Sequence, residues 1–463
     1  MNERDGIITE RLDRLPEWPY SRKLVLVITA AWFFVFFDIQ NIAYALPAAA
    51  KAFSVSSAVG ASVVSAGLLG YVIGSLMISA LSDLKGRRVA IICAALMYSV
   101  GSLATGLSPS IGVFVVARFL TGAGVGATIA AMSTYLGEIL PAAIRGRYAA
   151  WVTMPALVGI ATVPFLALAL VPTTAIGWRI LLMVPVLGIL PLLVNLRKVP
   201  ESPRWLIEHG QRDLAEQVVR TAEMQIEQRR GSLPPVSVNM RPASNAAAEN
   251  AQGLTLASAL RPPFLRSTIV LFFVWFLNYF GAYGIAGAGI VVLVQHGFTI
   301  VTSIELTLGG SIGAVVGGLI APQISDLWAR KWPLFVATVI LAVCLIVLGL
   351  APSDWLIFAA FTLLFFQVGF FAPIGYLLTA EHFPTAGRNL GMALTDGLGH
   401  LGGVVGPIVA LAVLQTAGFG PMWITFGVGF LLCAVTLLLT HDTTRQTLEA
   451  IVQTSMRGAP SDI

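Results

Sequence analysis

Apolar residues in this chain come in runs of roughly 18–25, long enough to cross ~30 Å of hydrocarbon as a helix rising 1.5 Å per residue. Such runs leave few folds open. A segment in hydrocarbon must satisfy its backbone N–H and C=O groups internally, so only helices and closed barrels cross a bilayer. Strand-like alternation is absent, which argues against a barrel. The reading is therefore an all-α membrane protein with twelve transmembrane helices, at 24–48, 60–80, 89–107, 112–135, 148–170, 179–196, 265–294, 300–324, 333–351, 355–378, 390–415 and 420–439. Proline, glycine and charge clusters punctuate the gaps. Only 11% of the 463 residues are charged and 57% are hydrophobic, against about a quarter charged in a soluble domain. The apolar stretch from Leu24 is too long for a secretory leader and contains Asp38, so it reads as a first span. Cys93, Cys344 and Cys433 fall inside apolar runs and read as small core residues, with no disulfide and no metal site.

Orientation follows from the basic residues. With the N-terminus inside, 25 of the 28 Lys and Arg residues lie in inside segments; Lys51 and Arg179 lie outside and Arg118 within a span. By the positive-inside rule both termini are cytoplasmic, in a plasma or inner membrane. The organisation is a tail at 1–23, a six-helix bundle at 24–196, a cytoplasmic loop at 197–263, a second bundle at 264–439 and a tail at 440–463. Within the loop, Gln211–Arg230 has the spacing of an amphipathic helix with Leu214, Val218, Val219 and Ala222 near one face. Gly231–Gly253 reads as a flexible linker and Leu254–Leu260 as a short surface helix. The net charge of +5 reflects topology, and no nucleic-acid motif accompanies it.

An internal repeat sets the architecture. Gly74…Ser82-Asp83-Leu84…Gly86-Arg87-Arg88 recurs as Gly317…Ser325-Asp326-Leu327…Ala329-Arg330-Lys331, and Glu138…Pro141…Arg145 recurs as Glu381…Pro384…Arg388, both offset by 243 residues. Two motifs sharing one offset imply two pseudo-symmetric six-helix bundles related by an axis along the membrane normal. These stretches resemble the major facilitator superfamily and its sugar-porter-like branch, which includes nicotinate, organic-ion and synaptic-vesicle-type relatives. Phe37-Asp38, Arg118-Phe-Leu-Thr-Gly-Ala-Gly-Val-Gly126, Arg145-Gly146, Pro200-Glu-Ser-Pro-Arg-Trp-Leu206 and Glu381-His-Phe-Pro384 match as well. The resemblance covers nearly the whole chain. It implies a secondary transporter working by alternating access.

Asp83, Arg87 and Arg88 sit on a tight turn that Gly86 permits, with Glu138 and Arg145 on the next; Asp326, Arg330, Glu381 and Arg388 repeat them. With Gly74 they form a candidate cytoplasmic gate, each pair worth ~1–3 kcal/mol to a two-state equilibrium. The other reading is that they only set topology. Asp38 and Arg118 lie at about the same depth in spans one and four, where opposite charges should pair because an isolated charge costs several kcal/mol. Neither recurs, since 243 residues on stand Gly281 and Phe361. In resembling proton symporters these positions form the coupling pair; a static structural pair is the alternative.

Asp396 and His400 share a face of span eleven, and their counterparts, Thr153 and Leu157, are uncharged. Asn278, Tyr279 and Tyr283 lie on a seventh span that its glycines are expected to interrupt. With Gln367 in span ten, and Gln40, Asn41 and Tyr44 beside Asp38, they make a candidate cavity lining; each serves equally well as an interhelical hydrogen bonder. Resembling sugar carriers place glutamines in spans five and seven, where this chain has Trp151, Thr153 and Met154 and Phe276-Leu-Asn-Tyr-Phe-Gly281. The preferred reading is proton symport of a small organic solute, such as an aromatic or heterocyclic carboxylate. A sugar:proton symporter or facilitative carrier is the alternative, and a transporter-like sensor a remote one. No nucleophile–base pair, phosphate-cradling loop or metal-spaced cluster is visible, so no enzyme and no cofactor is expected. The partners implied are the solute, protons and the lipid bilayer.

Overall fold

The computed structural model describes residues 3–141, 145–195, 198–235, 259–262, 264–324, 329–383 and 388–441, and no strand occurs among them. Among the described residues, eleven helices are long and apolar enough to cross a membrane: Arg22–Ala52, Ser62–Lys85, Arg87–Leu107, Ile111–Ile139, Gly177–Val194, Phe264–Gln295, Ile300–Ile324, Lys331–Leu350, Asp354–Glu381, Leu390–Ala417 and Phe419–Leu438. The remaining member, span 5, is the helix Arg145–Leu170, with the shorter apolar stretch Met154–Leu170 inside it. In chain order these are spans 1 to 12.

Small residues bring the spans together. A Cβ on Gly74 would run into the backbone of Ala123, and one on Gly317 into the backbone of Phe366. Both members of the second pair lie 243 residues beyond the first, so the sequence repeat is also a packing repeat. Close backbone approach of this kind replaces the hydrophobic drive that lipid does not supply. Outward faces are apolar too: Met77, Val116 and Trp355 are mostly exposed. Cys93 lies on such a face and is not a core residue; Cys344 is half-buried and Cys433 buried. Apolar surroundings in sequence do not separate core from lipid.

Span 7 corrects another expectation. It is one continuous helix, Phe264–Gln295. Its glycines leave the helix unbroken and admit neighbours: Gly281 and Gly284 face the rings of Phe430 and Phe426, Gly287 faces Val64, and Gly289 faces Phe361. The irregularity lies in span 11, where Ala393–Gly397 forms a π-turn between Arg388–Met392 and Leu401–Ala417. Such bulges shift side chains around a helix and mark functional sites.

The chain packs as two compact units: Met1–Ile39 with Ile73–Gly159 and Leu182–Pro242, and Gln40–Val72 with Ile160–Leu181 and Ala243–Ile463. In the second unit, parts of spans 1, 2 and 5 pack on the second half of the sequence. Ser65 Oγ donates to the Val404 carbonyl at 2.7 Å, Ser311 Oγ to that of Ala161 at 2.9 Å, and Thr307 Oγ1 to the Tyr44 hydroxyl at 3.2 Å.

The first unit holds a feature with no counterpart in the sequence reading. Residues Glu3–Asp13 form a helix on the loop helix Arg212–Arg230. Ile8, Leu12 and Leu15 are buried with Ala215, Val219, Ala222 and Ile226 of the loop helix. Leu214, expected on the buried face, is exposed, and Val218 is only half-buried. The buried face is set by the N-terminal helix, which the sequence pattern does not announce. Glu223 is buried and accepts from Arg11 Nε at 3.1 Å, Arg11 Nη2 at 2.6 Å and Arg14 Nη2 at 2.6 Å. Arg212 holds Asp5 at 2.6 Å and Arg204 holds Asp13 at 3.2 Å. Trp18 and Tyr20 continue the docking, and the Tyr20 hydroxyl donates to the Ile139 carbonyl at 3.1 Å.

Candidate functional site

Two polar groups stand inside the spans, one in each unit. In the first, Arg118 Nη1 donates to both oxygens of Asp38, at 3.2 and 3.3 Å, and Ser102 Oγ to one of them at 3.3 Å. Asp38 and Arg118 are 1% and 4% exposed, so spans 1, 3 and 4 enclose the pair almost completely. The grip is loose. One guanidinium nitrogen serves both oxygens, and the buried Nε of Arg118 meets no acceptor among the described residues. A bidentate fork would hold the carboxylate more firmly.

The second group is aromatic. The Tyr279 hydroxyl donates to Asp396 Oδ1 at 2.5 Å, and His400 Nδ1 lies 2.9 Å from the Asp396 carbonyl. A carbonyl only accepts, so Nδ1 carries the proton and Nε2 is the acceptor of the neutral ring. The imidazole lies 3.9 Å from the Tyr279 ring, 4.3 Å from Tyr71 and 6.1 Å from Tyr283. Trp275 stacks on Tyr279 and on Tyr376, its Nε1 donating to Thr379 Oγ1 at 2.9 Å. Of the expected lining residues, Tyr279, Tyr283, Asp396 and His400 thus meet. Asn278 and Gln367 are buried on spans 7 and 10; Asn278 Nδ2 and both amide atoms of Gln367 lack a protein partner among the described residues. Tyr44 is engaged by Thr307, Gln40 lies within its hydrogen-bonding reach, and Asn41 Nδ2 is 3.5 Å from the Leu181 carbonyl.

Ser102, Tyr71, Tyr376 and Trp275 were missed. The test that isolated Asp38 also isolates three of them: the positions 243 residues from Tyr71, Ser102 and Tyr376 are Ala314, Leu345 and Ser133. Trp275 has Trp32 as its counterpart and gives no such signal.

At the charged turns, Arg87 is the hub. It reaches Asp83 at 2.6 Å and Glu138 at 2.7 Å, tying the start of span 3 to the end of span 4. Arg330 and Glu381 repeat the second pair at 2.7 Å. Gly86 has φ +97, a conformation side-chain-bearing residues avoid. A Cβ there would also strike Glu201, whose carboxylate accepts from the backbone N–H groups of Arg87 and Arg88 at the helix start. Glu201, quoted only within its motif, is thereby a structural partner of the turn. Asp326 lies outside the described residues, as do the side chains of Arg145 and Arg388.

A family model described as sugar (and other) transporter matches residues 24–454. The chain belongs to this family. This transporter is 28% identical to a putative metabolite transport protein of Bacillus subtilis, YyaJ, over 92% of its own length and 94% of that protein's. It is 27% identical to the niacin transporter NiaP of Acinetobacter baylyi, covering 96% and 99%. The galactose-proton symporter of Escherichia coli is 26% identical, with 91% of each chain covered. Among solved structures, an inward-open xylose transporter XylE from Escherichia coli superposes with TM-score 0.70 at 20% identity, covering 93% of this chain and 99% of that one. The transporter is a multi-pass major facilitator protein and not an enzyme.

Proposed function

We propose that the transporter is a proton-coupled symporter for a small aromatic or heterocyclic carboxylate, with both termini cytoplasmic. The observation that carries the coupling is the Asp38–Arg118 pair, buried and present in one half only. Protonation of Asp38 removes its charge, frees Arg118 and loosens span 1 from spans 3 and 4. The solute class is supported by the ring cluster around His400, which offers stacking surfaces and one imidazole in place of a row of amides. A niacin transporter among the relatives points the same way.

Asp38→Asn imitates the protonated carboxyl permanently. In proteoliposomes it should still bind solute and exchange labelled for unlabelled solute, because exchange needs no net proton movement. It should fail to concentrate solute when an inward proton gradient is imposed. Accumulation equal to wild type would remove Asp38 from the coupling role. A sugar:proton symporter is the second reading. Asn278 Nδ2 and the Gln367 amide, which meet no partner among the described residues, favour it, since they suit a hydroxylated solute, and a galactose-proton symporter is also a relative. A thermal-shift screen of aromatic acids against sugars separates the two, because a ligand that binds only the folded form raises its stability.

A further inference from the structure

We propose that Tyr71 and the ring of the solute take turns on one face of His400, so that closure of span 2 onto span 11 displaces the solute's ring. The inference rests on the reading that the solute is aromatic.

The imidazole has two faces, and both are covered. Tyr279 lies at 3.9 Å with the planes 33° apart, and Tyr71 at 4.3 Å and 19°. Two rings so nearly parallel and so close to a third cannot share a face, so His400 is sandwiched. The two tyrosines are not equivalent. Tyr279 belongs to the same half as His400 and is fixed by its bond to Asp396 and by the Trp275 ring. Tyr71 comes from the other half of the sequence.

Span 2 brings Tyr71 there as the last tooth of a zipper. Val64 faces Gly287, Ser65 donates to the Val404 carbonyl, Leu68 lies against Gly403 and Tyr71 covers His400. Ser65, Leu68 and Tyr71 are three apart, one face of a helix. Their partners run backwards along span 11, so the two spans are antiparallel and the seal ends at His400. The compact unit itself ends one residue later, at Val72. When alternating access parts these spans, Tyr71 leaves with span 2 and exposes an imidazole face already shaped for a planar ring. The Asp396 carbonyl occupies Nδ1 and leaves Nε2 for a polar group on that ring. Closure then returns Tyr71 to the face and sends the solute on.

The contact that Tyr71 makes with His400 is made by its ring, so the ring performs the exchange. Phenylalanine should therefore substitute and leucine should not. The test compares wild type, Tyr71→Phe and Tyr71→Leu in proteoliposomes, using niacin and benzoate as aromatic probes and cyclohexanecarboxylate as a saturated one. Tyr71→Phe keeps the ring and should hold the Kd for the aromatic acids within about twofold of the wild-type value. In Tyr71→Leu, the Kd for the aromatic acids should fall roughly two- to tenfold, the worth of one aromatic pair, with a matching fall in kcat. The saturated acid uses the same vacated face without stacking on it, so it should tighten by the same factor and stay weaker than benzoate in both proteins. Equal affinity of benzoate and cyclohexanecarboxylate for wild type means that no solute ring stacks on His400, and overturns the proposal. Weaker binding, or no change, in Tyr71→Leu also overturns it. If wild type itself binds none of the aromatic acids, the functional reading has failed, and the inference with it.

Discussion

Glu223→Ala tests whether the N-terminal helix is a built element of the cytoplasmic loop. The carboxylate side chain is 8% exposed and faces Arg11 and Arg14 at 18% and 19%. Removing one partner of a buried ion pair costs about 3–5 kcal/mol, because the other charge is left unpaired. Here the arginines keep some water. Arg11 retains Glu216 at 3.2 Å, and Arg14 retains the Pro234 carbonyl at 2.7 Å. Partial solvation and these second partners lower the expectation to roughly 2–3 kcal/mol. The loss is local, since the spans do not depend on this contact. Hydrogen exchange should therefore show protection of the amides in Thr9–Asp13 falling roughly 30- to 150-fold, with the spans unchanged. Glu216→Ala, at a mostly exposed position, should change it little. Acid should imitate the variant. Burial alone would raise the Glu223 pKa, but its hydrogen bonds from Arg11 and Arg14 outweigh burial and lower it. A carboxylate lowered in the folded state stabilises above its unfolded value of about 4.3 and loses that contribution as pH falls through the folded value. Docking is thus complete at neutral pH and weakens only below about pH 4.3. Unchanged protection in Glu223→Ala would refute the reasoning and assign the docking to Leu12, Leu15 and the remaining ion pairs.

Glu381→Gln removes the negative charge that holds Arg330 and should slow transport while shifting solute affinity by no more than a few-fold; wild-type turnover at equal expression would reduce the pair to a topology signal. Cysteines at Ser110 and Ser353, which cap spans 4 and 10 and lie 243 residues apart, should react with an impermeant thiol reagent from outside. One at Ser244, outside the described residues, should not, and its labelling in intact cells would reverse the orientation.

What the sequence settled follows from conditions that act locally. Hydrocarbon demands length and apolarity of every span, so the spans were legible residue by residue. The offset of 243 exposed the repeat, and departure from that repeat singled out Asp38, Arg118, Asp396 and His400. Tertiary structure decided which faces meet. Lipid and protein interior are equally apolar, so no pattern could tell that Cys93 points outward, or that the glycines of span 7 admit neighbours instead of breaking the helix. Helix Glu3–Asp13 is weakly apolar and gains its stability from a partner some 200 residues away. The ring that covers His400 arrives from span 2, more than 300 residues back along the chain, and only packing brings it there.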